Sequence, residues 1–121
     1  MIQRNRKKNR GPFLLVRLDL LRHPKFQELK YSERVIYLEL LAEASYKNQN
    51  GPPKSGQQFE ESYSLLRAHT GANSATIARG LKRLCELGFL KRLNDPDTLW
   101  TRGEDAISEF EINLDWLKEA E

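Results

Sequence analysis

At 121 residues, with 39% hydrophobic and 31% charged side chains, the chain has material for one domain with a single core and a charged surface, and too little for two. No apolar run comes near the ~18 residues that cross a bilayer, and the lone cysteine, Cys85, excludes an internal disulfide and fits a reducing compartment, so a cytoplasmic protein without membrane contact is expected. The net charge of +3 is unevenly spread: residues 1–30 hold nine Lys/Arg against two Asp/Glu and residues 61–93 six against two, while residues 94–121 hold two against nine, a separation that suits a molecule with one polyanion-facing side.

Residues 1–12 show no apolar period. They form a basic arm carrying Arg4, Arg6, Lys7, Lys8 and Arg10, closed by Gly11-Pro12, ahead of a single domain over 13–121. Phe13–Leu18 is a short apolar strand candidate, and Asp19–His23 a helical turn before Pro24. Ser32 is placed to cap a helix running to about Lys47, with Glu33 at its positive end. At about 100° per residue, Tyr37, Leu41, Ala44, Leu38, Val35 and Ala42 share one broad arc opposite Glu39, Glu43 and Lys47, which marks this helix as the hub of the core. Residues 48–57 are a loop, Phe59 starts a strand of one or two residues, and a helix spans about Ser62–His69. Thr70-Gly71-Ala72 makes a tight turn in which Gly71 takes the left-handed conformation. Asn73 then caps a helix over Ser74–Leu87 that Gly88 terminates.

Beyond it, Phe89–Leu93 reads as a strand, Asn94–Asp97 as a turn, residues 98–108 as a polar excursion, and Glu109–Leu114 as a second strand with Phe110, Ile112 and Leu114 alternating. Asp115 caps a short terminal helix, and there are no internal repeats. The expected fold is mainly α with a small antiparallel β-sheet: a three-helix core followed by a two-stranded extension over about 89–114.

The Ser74–Leu87 helix carries the chemistry. Ile77, Gly80, Leu81, Leu84, Cys85 and Leu87 fall on one side of its wheel, with Ala78 at the margin; Ala75, Thr76, Arg79, Lys82, Arg83 and Glu86 fall on the other. An α-helix fits the major groove of DNA, Arg or Lys pairs with guanine O6 and N7, and a threonine methyl meets that of thymine. Ser74 and Ala75 are small enough to bring the backbone close, and the N-terminal amides favour phosphate. Gly80 is unfavourable in a helix interior by about 1 kcal/mol against alanine, and its buried position suggests close crossing by the Ser62–His69 helix. A solvated basic face on an ordinary amphipathic helix is the alternative for this element alone. The three-residue connection to a preceding short helix and the two strands that follow favour nucleic-acid binding.

Leu65-Leu66, Thr70-Gly71-Ala72-Asn73-Ser74-Ala75-Thr76-Ile77 and Leu81-Lys82-Arg83-Leu84-Cys85-Glu86-Leu87-Gly88-Phe89-Leu90 together resemble the core of bacterial winged helix-turn-helix proteins. Val16–Leu29 with Ser32-Glu33-Arg34-Val35-Ile36-Tyr37-Leu38-Glu39-Leu40-Leu41 is similar to the N-terminal domains of plasmid and phage replication initiators of the replisome-organiser type. The resemblance covers about residues 13–93. It implies binding of double-stranded DNA by Asn73, Ser74, Thr76, Arg79, Lys82 and Arg83, with a wing on the phosphate backbone, in replication initiation or transcription regulation. Here the wing departs from the pattern: Asp95, Asp97, Glu104 and Asp105 are relieved only by Arg102.

The five cations of the arm resemble arms that enter a minor groove or follow phosphates, the alternative being a solubilising tail. No catalytic, metal or cofactor site is expected. His23 and His69 are far apart, one cysteine completes no zinc set, and neither Glu60-Glu61 nor Asp95/Asp97 comes with a base or ligand cluster. His69 suits a helix C-terminus, and Cys85 reads as a small core residue. Trp100 and Trp116 read as packing residues, while Asp115–Glu121 with Trp116 and Leu117 is the segment expected to serve a homodimer. The alternative function is a protein-interaction module with a replication or regulatory partner, its acidic 94–121 region meeting a basic surface.

Overall fold

The computed structural model, which describes residue 14 and residues 16–49, 51–93 and 107–120, contains five α-helices and a three-stranded antiparallel sheet among those residues. The chain enters through α1 (Leu18–Arg22) and α2 (Pro24–Gln27). Pro24 sits at the first position of α2, where a missing N–H costs nothing, and the His23 Nδ1 accepts the Lys25 N–H at 3.0 Å. The strand expected over Phe13–Leu18 does not form in its described part: Val16 and Arg17 pair with no strand, and Leu18 already belongs to α1. The Arg17 carbonyl accepts the N–H of Leu20 at 3.1 Å, and the Arg17 Nε holds Asp19 of the first turn at 2.9 Å, so local helix contacts claim these residues. Leu20, His23, Phe26 and Leu29 are buried in this entry segment.

Helix α3 (Tyr31–Lys47) is the hub. It starts two residues earlier than a Ser32 cap would set it, because the Glu33 carboxylate reaches back to accept the Lys30 N–H at 2.8 Å, and Lys30 rather than Ser32 is the cap position. Ile36, Tyr37, Leu40, Leu41 and Ala44 face the core. Burial pushes the Tyr37 phenol well above its usual range, so it stays neutral. The wheel placed Tyr37, Leu41 and Ala44 correctly, and Leu38 is half-buried against the core; Ala42 is only half-buried, and Val35 is 46% exposed. The helix is apolar around most of its circumference, so periodicity alone does not say which side the remaining elements cover.

The sheet joins β1 (Gln58–Ser62), β2 (Leu90–Arg92) and β3 (Ile107–Ile112) in the order β1-β3-β2. β1 is five residues long where one or two were expected, and it makes a two-stranded arrangement into three. Phe59 pairs with Phe110 in register, their rings 5.8 Å apart, and Leu90 pairs with Ile112. Leu114, expected as the last alternating strand residue, lies past the end of β3 and is half-buried. The terminal element is a 3-10 helix over Asp115–Ala120, whose Trp116 turns inward. At 1% exposure, Trp116 packs edge-on to Phe89 (4.7 Å) and His23 (4.9 Å), and Phe89 in turn meets Tyr37 at 5.0 Å. This places the residue expected to serve a homodimer inside the core instead.

Candidate nucleic-acid interface

Two helices and a three-residue turn build the surface that the sequence singled out. Ser62 caps α4 (Tyr63–Thr70), its hydroxyl accepting the Leu65 N–H at 3.1 Å. The helix ends where Gly71 takes φ +77°, a left-handed conformation that a side chain strains, and the Gly71 N–H returns to the Arg67 carbonyl at 2.9 Å. The Thr70 hydroxyl donates to the Leu66 carbonyl (2.6 Å) and accepts the Ala72 N–H (3.2 Å), fixing the turn from both sides. Asn73 then caps α5 (Ser74–Glu86), its Oδ1 accepting the Thr76 N–H at 2.8 Å. At the far end Phe89 and Gly88 donate to the carbonyls of Leu84 (2.9 Å) and Cys85 (3.2 Å), with Gly88 at φ +88°. This is the paired closing pattern that a glycine after a helix permits. The start and stop signals in the sequence therefore set the length and direction of α5 almost to the residue.

The two faces of α5 separate as the wheel required. Ile77, Gly80, Leu81 and Leu84 are buried, and Ala75, Arg79, Lys82, Arg83 and Glu86 are exposed, with Ser74 and Thr76 half-buried. Gly80 does permit a close crossing, but of a different helix from the one expected. A Cβ placed there would stand 2.7 Å from the Ile36 Cδ1 of α3, so α5 rests across the hub helix rather than against α4 at this point. Gly80→Ala is expected to force Ile36 to shift and to cost about 1–2 kcal/mol despite the better helix propensity of alanine. A denaturant midpoint equal to or above that of the parent chain would contradict this contact.

Between α4 and the start of α5 lies an open concavity of about 810 Å³, lined by Ser64, Arg67 and Ala68 on one side, Gly71–Asn73 at the turn, and Ser74 and Ala75 on the other. The small Ala68, Ser74 and Ala75 leave the backbone accessible there. Arg67 brings a cation to this wall that the sequence reading had not assigned. It becomes a neighbour of Ser74 only through the tight turn, and Arg67 three residues before Thr70 is the signal that was available.

The three expected cations of α5 do not have the same environment. Among the described residues no carboxylate pairs with Arg79 or Lys82. Arg83 is instead drawn toward α3, its Nε 3.5 Å from Glu33 Oε1, and Glu33 is buried. Arg83 therefore serves as counter-charge to a buried acid as well as lying on the outer face. On β2, Lys91 is exposed, whereas the Arg92 guanidinium lies over the Phe110 ring (5.5 Å) and donates to the Ser108 hydroxyl at 3.1 Å. Arg4, Arg6, Lys7, Lys8 and Arg10 of the arm lie outside the described residues. So do Arg102, Trp100 and the acids Asp95, Asp97, Glu104 and Asp105.

The remaining titratable groups sit away from this face. Cys85 is half-buried, and burial pushes its thiol up, which makes it a poor nucleophile. Among the described residues no group of three or more His, Cys, Asp or Glu is placed to hold a metal ion. His69, at the end of α4, meets Glu39 of α3 at 2.6 Å, and this hydrogen bond raises its pKa.

Glu61 of β1 points inward, accepts the Ser62 N–H at 3.1 Å, and is pushed up to about 7 from 4.5, by burial first and by Glu43 second. Its protonated form is the one the fold favours. Between pH ~4.5 and ~7 the native chain binds more protons than the unfolded one, so stability falls as pH rises through this window and stays lower above it. The His69 contribution has the same sign, being lost as pH rises through its raised pKa. Glu61→Gln is expected to remove most of the fall, gaining about 1–3 kcal/mol at pH 8 and little at pH 4. An unchanged pH dependence of the melting temperature in that variant would refute this assignment.

No protein-family model, curated protein or solved structure matches the chain. Among the described residues, no helix is long and apolar enough to cross a membrane.

Proposed function

We propose that this chain is a winged helix-turn-helix protein that binds double-stranded DNA in a sequence-specific, non-catalytic manner. In this reading α4 and α5 are the helix-turn-helix, α5 enters the major groove, and β2 and β3 are the stem of the wing. One observation carries the proposal. The outer face of α5 presents Arg79 and Lys82 without an acidic partner among the described residues, beside the small Ala75 and the capped N-terminus, at the edge of an open concavity.

A helix face of this kind has both elements of groove recognition. Arg79 and Lys82 are long donors for guanine edges or phosphates, and the first turn of α5 offers amides and short side chains at close range. Asn73, Ser74 and Thr76 lie in that turn, and Arg67 supports it from α4. Arg83 contributes from the position in which Glu33 holds it. The basic arm adds affinity without adding sequence information, at about −0.9 in the log–log salt slope per phosphate contacted. The biological setting, recognition of an origin or operator as a cytoplasmic protein of a plasmid or phage, rests on the resemblance over residues 13–93.

Titration against a mixed-sequence duplex at increasing salt tests the binding itself. The reading requires saturable binding near 50 mM salt that weakens steeply toward 200 mM, as counterion release demands. Absence of duplex binding at the lower salt defeats it.

A further inference from the structure

Glu33 is a buried acid in the first turn of α3, and its charge exceeds what its local role requires. Its Oε1 accepts the Lys30 N–H at 2.8 Å and so closes the capping box at the start of the helix. A glutamine at this third position does the same work, because the cap needs an acceptor oxygen and not a charge. Burying a carboxylate is costly unless a cation answers it. The positive end of the helix dipole offsets only a small part of that cost.

The cation is Arg83. Its Nε stands 3.5 Å from the same Oε1, and Glu33 is the one acid paired with it among the described residues. The Glu33 side chain is 7% exposed and that of Arg83 44%, so the acid is held in the interior while the guanidinium reaches the outer face of α5. Nε is the guanidinium nitrogen nearest the backbone. An approach through it leaves the two terminal nitrogens, a rigid fork of donors, to a partner outside the chain. Among the described residues neither Arg79 nor Lys82 has such a tether. Of the three cations on this face, Arg83 alone is oriented before anything binds.

A phosphate asks only for a nearby charge, which a mobile side chain supplies. A guanine edge asks for two parallel donors in a set plane. We propose that Glu33 is a positioning residue for base readout: it holds the Arg83 guanidinium so that its terminal nitrogens meet O6 and N7 of a guanine. This rests on the reading of α5 as a groove-binding helix. Arg79 and Arg83 lie one helical turn apart on the same stripe, about 6 Å along the axis, which exceeds one base-pair step of ~3.4 Å. The two arginines therefore read different base pairs.

The test is selection from a random duplex library, followed by competition titration, with the parent chain and its Glu33→Gln and Arg83→Lys variants. Glu33→Gln keeps the cap acceptor and adds one net positive charge, so a purely electrostatic effect would tighten binding to every duplex. The expected result is different. Discrimination between the motif and a duplex altered at one guanine falls about three- to thirtyfold, the upper figure being the rotamer freedom that a released arginine regains. Affinity for unrelated duplex stays level or rises. Arg83→Lys keeps the counter-charge to Glu33 but loses the fork, so it should relax that same base position even if Glu33→Gln fails to fold, and Arg79→Ala should relax another. A motif unchanged in both variants, or a loss spread evenly over all positions, would overturn the positioning role and leave groove binding by α5 intact. A parent chain that enriches no motif would remove the groove reading, and this proposal with it.

Discussion

Replacing Arg79 and Lys82 together with alanine is expected to weaken binding to a specific duplex by roughly 30- to 1,000-fold, with the melting temperature nearly unchanged. Both side chains are exposed on the outer face of α5 and neither has an acidic partner among the described residues, so their removal leaves no buried group unsatisfied. A good bidentate base contact is worth about 1–3 kcal/mol; the stated range, about 2–4 kcal/mol in all, is that of two contacts in the lower part of that span. If either residue meets phosphate rather than base, the loss spreads evenly over sequences and the salt slope falls by about 0.9 for each. Arg83→Ala should behave differently. It leaves Glu33 buried without its counter-charge, so stability falls by about 1–2 kcal/mol, less than for a fully buried pair because Arg83 itself is exposed. Side-by-side titration and melting of the two variants separates the roles. Unchanged affinity in the double variant would remove α5 from the interface.

The second large effect belongs to the core. Trp116→Ala is expected to cost about 3–5 kcal/mol, the usual range for deleting a buried aromatic side chain. In a domain of this size that lowers the melting temperature by ~10–20 °C. The indole closes a line of rings that runs from His23 through Trp116 and Phe89 to Tyr37, and so ties the terminal 3-10 helix to α2 and α3. Trp116→Phe should recover a large part of the loss, since it keeps a ring against Phe89. Chemical denaturation of the three chains checks this. A Trp116→Ala chain as stable as its parent would contradict the inward placement of Trp116.

The contrast between α5 and β1 shows what the sequence made legible. The ends of α5 are written in local signals: a glycine that takes positive φ, an asparagine that caps, and a second glycine that stops the helix. Each acts within four residues, so each was readable in one dimension. β1 depends on pairing with β3, some fifty residues away, and its inward Glu61 breaks the apolar alternation that would have announced a strand. The exposure of Val35 on α3 went unread for a related reason. Apolar residues around most of a helix do not reveal which side its neighbours occupy. The crossing at Gly80 was foreseen and its partner was not, because a small residue marks a close approach without naming the helix that makes it. For the candidate interface, Asn73, Ser74, Thr76, Arg79 and Lys82 are gathered on one surface as expected. The link from Arg83 to Glu33 was invisible, since it spans two helices fifty residues apart.

Selection from a random duplex library at near-physiological salt, carried out with the parent chain and with Arg79→Ala, tests sequence-specific recognition by α5 most directly. Enrichment of a defined motif by the parent, relaxed at one base position in the variant, is the predicted result. Binding without enrichment, or a motif identical in both chains, would contradict it.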